Sequence, residues 1–483
     1  MTGADLLRLD ATSLSRRIAG REVSCRELMQ ATLDRIAALN PHYNAIVSLR
    51  DPQALLAEAD ACDARLARRE PTGWMHGFPL AVKDLSDVAG LPTTMGSLAV
   101  GRRVPDTDAL FVQRMKAAGA IVIGKTNTPE FGLGSHTYNK VFGTTRNAWA
   151  PSKSAGGSSG GAAVALALGM LPVADGSDMG GSLRNPAAFN HIVGFRPSRG
   201  RVPAVPADDV FFQQLSTEGP MGRTSEDVAR LLCTMAGWDD RAPLALAEML
   251  PDPAAADPIV CRPGRRIGWL GSLWSDLPLE PGIRELCEAA LRKLEGAGWQ
   301  VEPCALDVAR EVNWSAWLRL RQMLVGGKLG ALYAQPRLRE QLKPEACWEV
   351  EQSFQLTAAQ LYQATVQRTA VYQAFRRLFE RFDYVVAPTA QVFPFSAELD
   401  WPHEVAGVAM DTYHRWMEIV TPFTLAGLPV ASVPVGFGPQ GLPMGMQLAG
   451  PPRADLAVLA LAREWEAIAP WSSQRPPAVG SPA

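Results

Sequence analysis

Apolar positions fall into two periods along this chain. Met29, Leu33 and Ile36 recur at helical spacing behind "SCREL", where Ser24 and Glu27 form a capping-box signature. Asn40-Pro41 predicts the end of that helix. "DALFVQRMKAAG", the repeat Ile283, Leu286, Ala290, Leu294, and "ADLAVLALAREWEAI" predict further helices. Short apolar runs predict strands: "FPLAVK" running into a loop, then "AIVIG", "GWQVEPC", "DYVVAPT", "LPVASVPVGF" and "LPMGMQLAG". "GGAAVALALG", Gly160 to Gly169, is apolar all round, so a helix there must be buried on every side. Helices alternating with apolar strands predict an α/β fold.

No internal repeat interrupts this alternation. The stretch from about Trp238 to Pro263, rich in proline, alanine and aspartate, fits a linker and an insertion within one domain equally well. From Ser472 onward the chain is expected to be disordered. Composition adds a class: with 47% hydrophobic and 20% charged residues over 483 positions, the chain is globular and long enough for a large core. A formal net charge of -2 gives neither nucleic acid nor a membrane surface a basic footprint to use. The uncharged stretch Thr421–Pro452 is broken by proline and glycine, so it reads as buried strands and turns, not a membrane span. Seven cysteines, Cys25, Cys62, Cys233, Cys261, Cys287, Cys304 and Cys347, are scattered and include no CxxC pair. That pattern predicts neither a disulfide framework nor a zinc site. With no apolar signal segment in "MTGADLLRLDATSLSRR", the expected compartment is the cytoplasm.

The chemistry concentrates in two glycine-flanked serine clusters, "GGSSGG" and "GGS", at either end of the all-apolar segment. Three readings compete for the glycine-rich stretches. "GAIVIGKT", Gly119 to Thr126, fits the Walker A pattern, but its Ala-Ile-Val-Ile interior favours a strand over a phosphate-cradling loop. "GGSSG", Gly156 to Gly160, fits the nucleophile elbow G-x-S-x-G. It lacks an apolar strand in front, and its base would have to be His191, His403 or His414. The third reading is a Ser–Ser–Lys relay.

The ordered series "GGSSGGAAVALALG", "ADGSDMGGSLRNPAAF" and "GFRPSRGRVP" resembles the signature segment of the amidase signature family. The likeness extends through "GFPLAVKDL", "GKTNTPEFG", "FGTTRNAW" and "GPMGRT", and more weakly through "APT", "LAGLPVASVP" and "GLPMGMQLAG". It implies one large α/β domain over 1–471, with a central mixed β-sheet surrounded by helices. The catalytic core would span about 70–225, 235–380 would be the less similar region, and 472–483 the disordered tail. It also implies roles: Lys83 as the base, Ser158 as the bridging serine on a cis peptide, and Ser182 as the nucleophile. Ser158 and Ser182 stand 24 positions apart, the family's spacing. The backbone amides of Met179, Gly180, Gly181 and Ser182 fall where the family builds its oxyanion hole. Gly132 falls on a position lining the acyl pocket, and Asp178 and Arg184 on a flanking structural pair. Ser177 for threonine, "FRPS" for "LKPT", "FNH" ending at His191, and Thr424 for asparagine depart from the family pattern.

The residues make chemical sense as a set. A serine needs a base, and with six histidines in the chain a lysine is the next candidate. It can serve only if burial depresses its pKa from about 10.4. Taken singly, Lys83 reads as an exposed strand-end lysine, Ser158 as a helix cap and Ser182 as a turn serine. Order and spacing favour the joint reading. Trp314, Trp317, Trp401 and Trp416 either line a pocket or belong to the core. The expected activity is a cofactor-free and metal-free amidase acting on a small-molecule amide, with carbamates (urethanase activity) and esters as further substrates. The expected state is a monomer or homodimer. Two rivals remain: the amidase component of a tRNA-dependent amidotransferase complex, and a non-catalytic binding protein that kept the fold. The "YDGVRYG"-like stretch of the former has no counterpart between 235 and 380.

Overall fold

A computed structural model describes residues 2–251 and 265–477. Gly160–Ala167 form a helix with every residue buried, as an uncharged, all-apolar run requires. Around it, eight strands among the described residues form one mixed sheet. Their spatial order is Gln300–Pro303, Arg266–Trp269, Tyr384–Pro388, Pro443–Ala449, Val430–Phe437, Val193–Arg196, Thr217–Gly222 and Val173–Asp178. The first three run parallel and the remaining neighbours antiparallel.

The strands feed two cores by their period of two. Val386, Ala431 and Val433 join a core with Leu291 and Trp465, from the helices Ile283–Gly296 and Asp455–Ile468. Val385, Ala387 and Val430 join a second core with Phe375 and Phe423 on the other face. Both faces are therefore covered, and the strand interiors read as continuous apolar runs for that reason. The fold is a single domain with a central mixed sheet flanked by helices.

A second sheet of three strands, Ile46–Val47, Ile121–Thr126 and Pro79–Lys83, lies beside the buried helix. Here "GAIVIGKT" is a strand, as its β-branched interior predicts. Lys83 ends the strand Pro79–Lys83, whose five residues are all buried.

The helix Cys25–Tyr43 starts at the Ser24–Glu27 capping box but continues through Pro41 to Tyr43. The Asn40 side chain accepts from the Ala45 and Ile46 amides, and Asn44 closes the helix in the left-handed conformation. Proline in a last turn removes one bond and the cap supplies others, so Pro41 does not stop the helix. Of the candidate linker, Trp238 to Pro263, residues 252–263 lie outside the described residues. Of the tail, Trp471–Ser473 make a 3-10 turn, and residues 478–483 lie outside the described residues. Cys25, Cys62, Cys287, Cys304 and Cys347 are free thiols, and no helix among the described residues is long and apolar enough to cross a membrane.

Gly161 shows how tightly the buried helix is seated. A Cβ there would stand 2.4 Å from the Asn127 nitrogen and 2.7 Å from the Ala45 oxygen, both backbone atoms that cannot step aside. Gly161→Ala is therefore expected to destabilise the fold by about 1–3 kcal/mol, read as a lower urea midpoint. An unmoved midpoint would mean that the helix sits more loosely than this packing requires.

Candidate active site

Lys83, Ser158 and Ser182 come from a strand end, a loop before the buried helix and a turn after a strand, and the fold brings them together. Lys83 Nζ lies 2.8 Å from Ser158 Oγ, 2.8 Å from Ser159 Oγ and 3.0 Å from Ser177 Oγ. The Ser159 amide donates to the Ser182 carbonyl at 3.2 Å, so the two serine loops are tied directly. The Gly157–Ser158 peptide is cis. Exposure separates the roles available to the three: Lys83 is 0% exposed, Ser158 2% and Ser182 8%. A lysine so enclosed is not a surface strand-end residue.

Burial pulls the Lys83 ammonium down to about 8, against the opposing pull of Glu218, Asp175 and Asp178. Asp175 accepts from the Lys83 backbone amide at 3.3 Å and 3.2 Å, and burial pushes its carboxyl up to about 6. Glu218 sits opposite Ser177 across the ladder. Burial raises it to about 7, and its Oε2 is buried with no hydrogen-bond partner among the described residues. The neighbourhood thus holds an amine that is easily neutralised beside carboxyls that are easily protonated.

The turn carrying Ser182 is organised by Asp178. Its carboxylate accepts from the Gly181 amide (3.0 Å), the Leu183 amide (3.2 Å), Arg184 Nε and Nη2 (2.9 Å each) and Arg196 Nη1 (3.3 Å). Burial raises such a carboxyl, but the two guanidiniums outweigh that and hold it well below the usual carboxylate range. Arg184 also donates to Thr424 Oγ1 (2.9 Å), Gln447 Oε1 (2.6 Å) and the Val420 carbonyl (3.0 Å). The hydroxyl of Thr424 therefore meets the arginine in the core.

The Gly181 amide, expected in the oxyanion hole, is already donated to Asp178. Among the described residues no acceptor takes the amides of Met179, Gly180 or Ser182. Gly181 has φ +87°, and an added Cβ would stand 2.9 Å from Val420 Cγ2, so the turn needs glycine there. Gly132 has φ +71°, and a Cβ on it would stand 3.4 Å from Ser158 Oγ and 2.8 Å from Leu85 Cδ1.

None of the three candidate histidines is hydrogen-bonded to Ser158 or Ser182. His191 stacks on Phe437, His403 bonds Asp400, and His414 bonds Thr412. Lys125, from the P-loop-like run, is buried and donates to the Ser86 carbonyl. Trp314 and Trp416 are core residues and Trp401 is half-buried, whereas Trp317 reaches the Met179 carbonyl. Three residues of the site, Ser159, Asp175 and Glu218, escape sequence reasoning. The serine doublet offers a signal for Ser159, and nothing local marks Glu218, whose place depends on strand register.

The family model described as Amidase matches residues 27–459. The chain is 31% identical to an acylamidase of Rhodococcus erythropolis, over 99% of this chain and 98% of that protein. It is 36% identical to the A subunit of the glutamyl-tRNA(Gln) amidotransferase of Acidothermus cellulolyticus, over 94% and 92%. The structure of a bacterial aryl acylamidase of the amidase signature family superposes with a TM-score of 0.90 at 30% identity, over 96% and 97%. The chain belongs to the amidase signature family.

In this amidase signature hydrolase the buried Asp178 carboxylate is shared by two buried guanidiniums, so losing its charge leaves both without their common counter-charge. Asp178→Asn is expected to cost about 3–5 kcal/mol, measured by urea unfolding. Because the folded pKa is depressed, the clamp's contribution is complete above the unfolded value of about 3.9. It is lost only as pH falls through the folded value. A variant as stable as the parent at pH 7 would show that the clamp does not hold the turn.

Proposed function

We propose that this protein hydrolyses the C–N bond of a small-molecule amide through an acyl-enzyme on Ser182, with Ser158 and Lys83 as the proton relay. The supporting observation is a completely buried lysine, its pKa pulled to about 8, with Nζ 2.8 Å from Ser158 Oγ. Neutral Lys83 accepts the Ser158 proton, Ser158 accepts the Ser182 proton, and the Ser182 oxygen adds to the substrate carbonyl. The resulting oxyanion is cradled by the free amides of Met179, Gly180 and Ser182. When the C–N bond breaks, Ser158 returns a proton to the amine and is refilled from Lys83. A water then enters, gives its proton to the same relay and releases the acid from Ser182. Gly132, lacking a Cβ beside Ser158, leaves room for the acyl group. Carbamates (urethanase activity) and esters pass through the same tetrahedral intermediate and are further substrates. The working form is a cofactor-free monomer or homodimer in the cytoplasm.

A second reading, the amidase component of a tRNA-dependent amidotransferase, is supported by the 36% identical relative. The two readings separate on the purified single chain: turnover of amides without partner proteins supports the free hydrolase.

A fluorophosphonate probe is expected to label Ser182, with loss of the adduct in Ser182→Ala and in Lys83→Ala at neutral pH. An adduct on Ser158 would overturn the assigned roles. Ser182→Ala should lower kcat by about 10⁴-fold or more. Lys83→Ala should recover part of its rate at high pH, because hydroxide replaces the missing base.

The pH profile tests the base independently. Neutral Lys83 is the active form, so kcat/KM is expected to rise with pH through an apparent pKa near 8. Glu218 holds the Lys83 pKa up by its charge, so Glu218→Gln should move that limb to lower pH. An unmoved limb would remove Glu218 from the electrostatics of the base.

A further inference from the structure

The Met179–Gly180 peptide poses a problem that the serine loops do not solve. In a trans peptide the carbonyl and the following N–H lie in one plane and point opposite ways. The Gly180 amide therefore aims wherever the Met179 carbonyl does not. Asp178 holds the Gly181 and Leu183 amides but takes no bond from Gly180. A glycine following the carbonyl makes rotation of that plane inexpensive, because φ at Gly180 is not restricted by a side chain. Some other group must select one of the two orientations.

Trp317 is placed to do so. It lies on the helix Arg310–Tyr333, is fully buried, and donates its indole N–H to the Met179 carbonyl at 3.3 Å. Its ring also packs on Gly180, where an added Cβ would stand 3.1 Å from Trp317 Cζ2. One turn further along, Arg321 Nη1 lies 3.3 Å from Met179 Sδ. Arg321 is itself fixed by Glu349 at 2.7 Å and by the Tyr413 hydroxyl at 2.7 Å. The carbonyl is thus held on the Trp317 side, and the Gly180 N–H faces away from it with no acceptor among the described residues.

We infer that Trp317 is a positioning residue for the reaction: its indole N–H, acting on the Met179 carbonyl, fixes the Gly180 amide in the orientation that receives the oxyanion. This rests on the proposed acyl transfer at Ser182. It assigns a part in transition-state stabilisation to the central region, 235–380, where the family pattern is sparse. Removing one oxyanion donor lowers kcat by about 10²–10³-fold, and a lock that is lost leaves the amide in part correctly aimed. The expected loss is therefore about 10–100-fold in kcat.

The test replaces the indole N–H and keeps the ring. Trp317→Phe removes the donor, and 3-benzothienylalanine at position 317 removes it without changing the shape. Hydrolysis of p-nitroacetanilide should show kcat down about 10–100-fold with KM within about twofold, and fluorophosphonate labelling of Ser182 should slow in parallel. The urea midpoint of the benzothienylalanine protein should stay at the parent value, which separates positioning from a structural role even if Trp317→Phe folds poorly. A kcat within about twofold of the parent in the benzothienylalanine protein, with Ser182 labelled normally, would overturn the lock alone. Absence of a Ser182 adduct in the parent chain would overturn both the nucleophile assignment and the lock.

Discussion

A single buried carboxylate, Asp178, determines where the turn after the strand Val173–Asp178 can go. It gathers the Gly181 and Leu183 amides and two guanidiniums around one point in the core. A carboxylate moved from water into such a place is tolerated only when paired and hydrogen-bonded throughout. That requirement works in reverse: once Arg184 and Arg196 are buried, the chain between 178 and 184 has few conformations that satisfy all three charges. Arg184 then reaches Thr424, Gln447 and Val420, tying the turn to the far end of the sequence. The location of Ser182 follows from charge satisfaction as much as from glycine flexibility.

Lys83 is the opposite case. Its enclosure is satisfied by three neutral hydroxyls, not by a directly bonded carboxylate, and so its charged form is disfavoured. Asp178 keeps its charge because it is surrounded by cations, whereas Lys83 can lose its own because it is not surrounded by anions at bonding distance. One core thus contains a permanently ionised clamp and a titratable amine, bridged by the short strand that carries Ser177. Stability is concentrated in the first and, on the proposed mechanism, reactivity in the second, which fits the general pattern that functional groups are held at some cost to the fold.

What the sequence made legible follows from how local each constraint is. The buried helix Gly160–Ala167, the strand ending at Lys83 and the positions of Ser158 and Ser182 are written in short contiguous runs, and the structure places them together. Pro41 misleads because its effect depends on a cap made by Asn40, whose partners lie five and six residues on. The Gly181 amide is not readable as occupied, since its acceptor, Asp178, also has the arginines as claimants. Glu218 and Trp317 have no local mark at all. The first faces Ser177 only through the pairing of two strands, and the second reaches Met179 across 138 positions.

The division of the chain between relay and surroundings bears on specificity. Every group in the proposed relay comes from the segment between Lys83 and Ser182. The groups that contact Met179 and Gly180 from outside, Trp317, Arg321 and Met417, come from the second half of the chain. A chain that changes its central helices therefore alters what surrounds the reacting carbonyl while leaving the relay untouched. Two chains with the same relay but different central helices would, on this argument, accept different groups. The helices Arg310–Tyr333 and Pro344–Ser353, which brace Met179 through Arg321 and Glu349, are where that difference would be built.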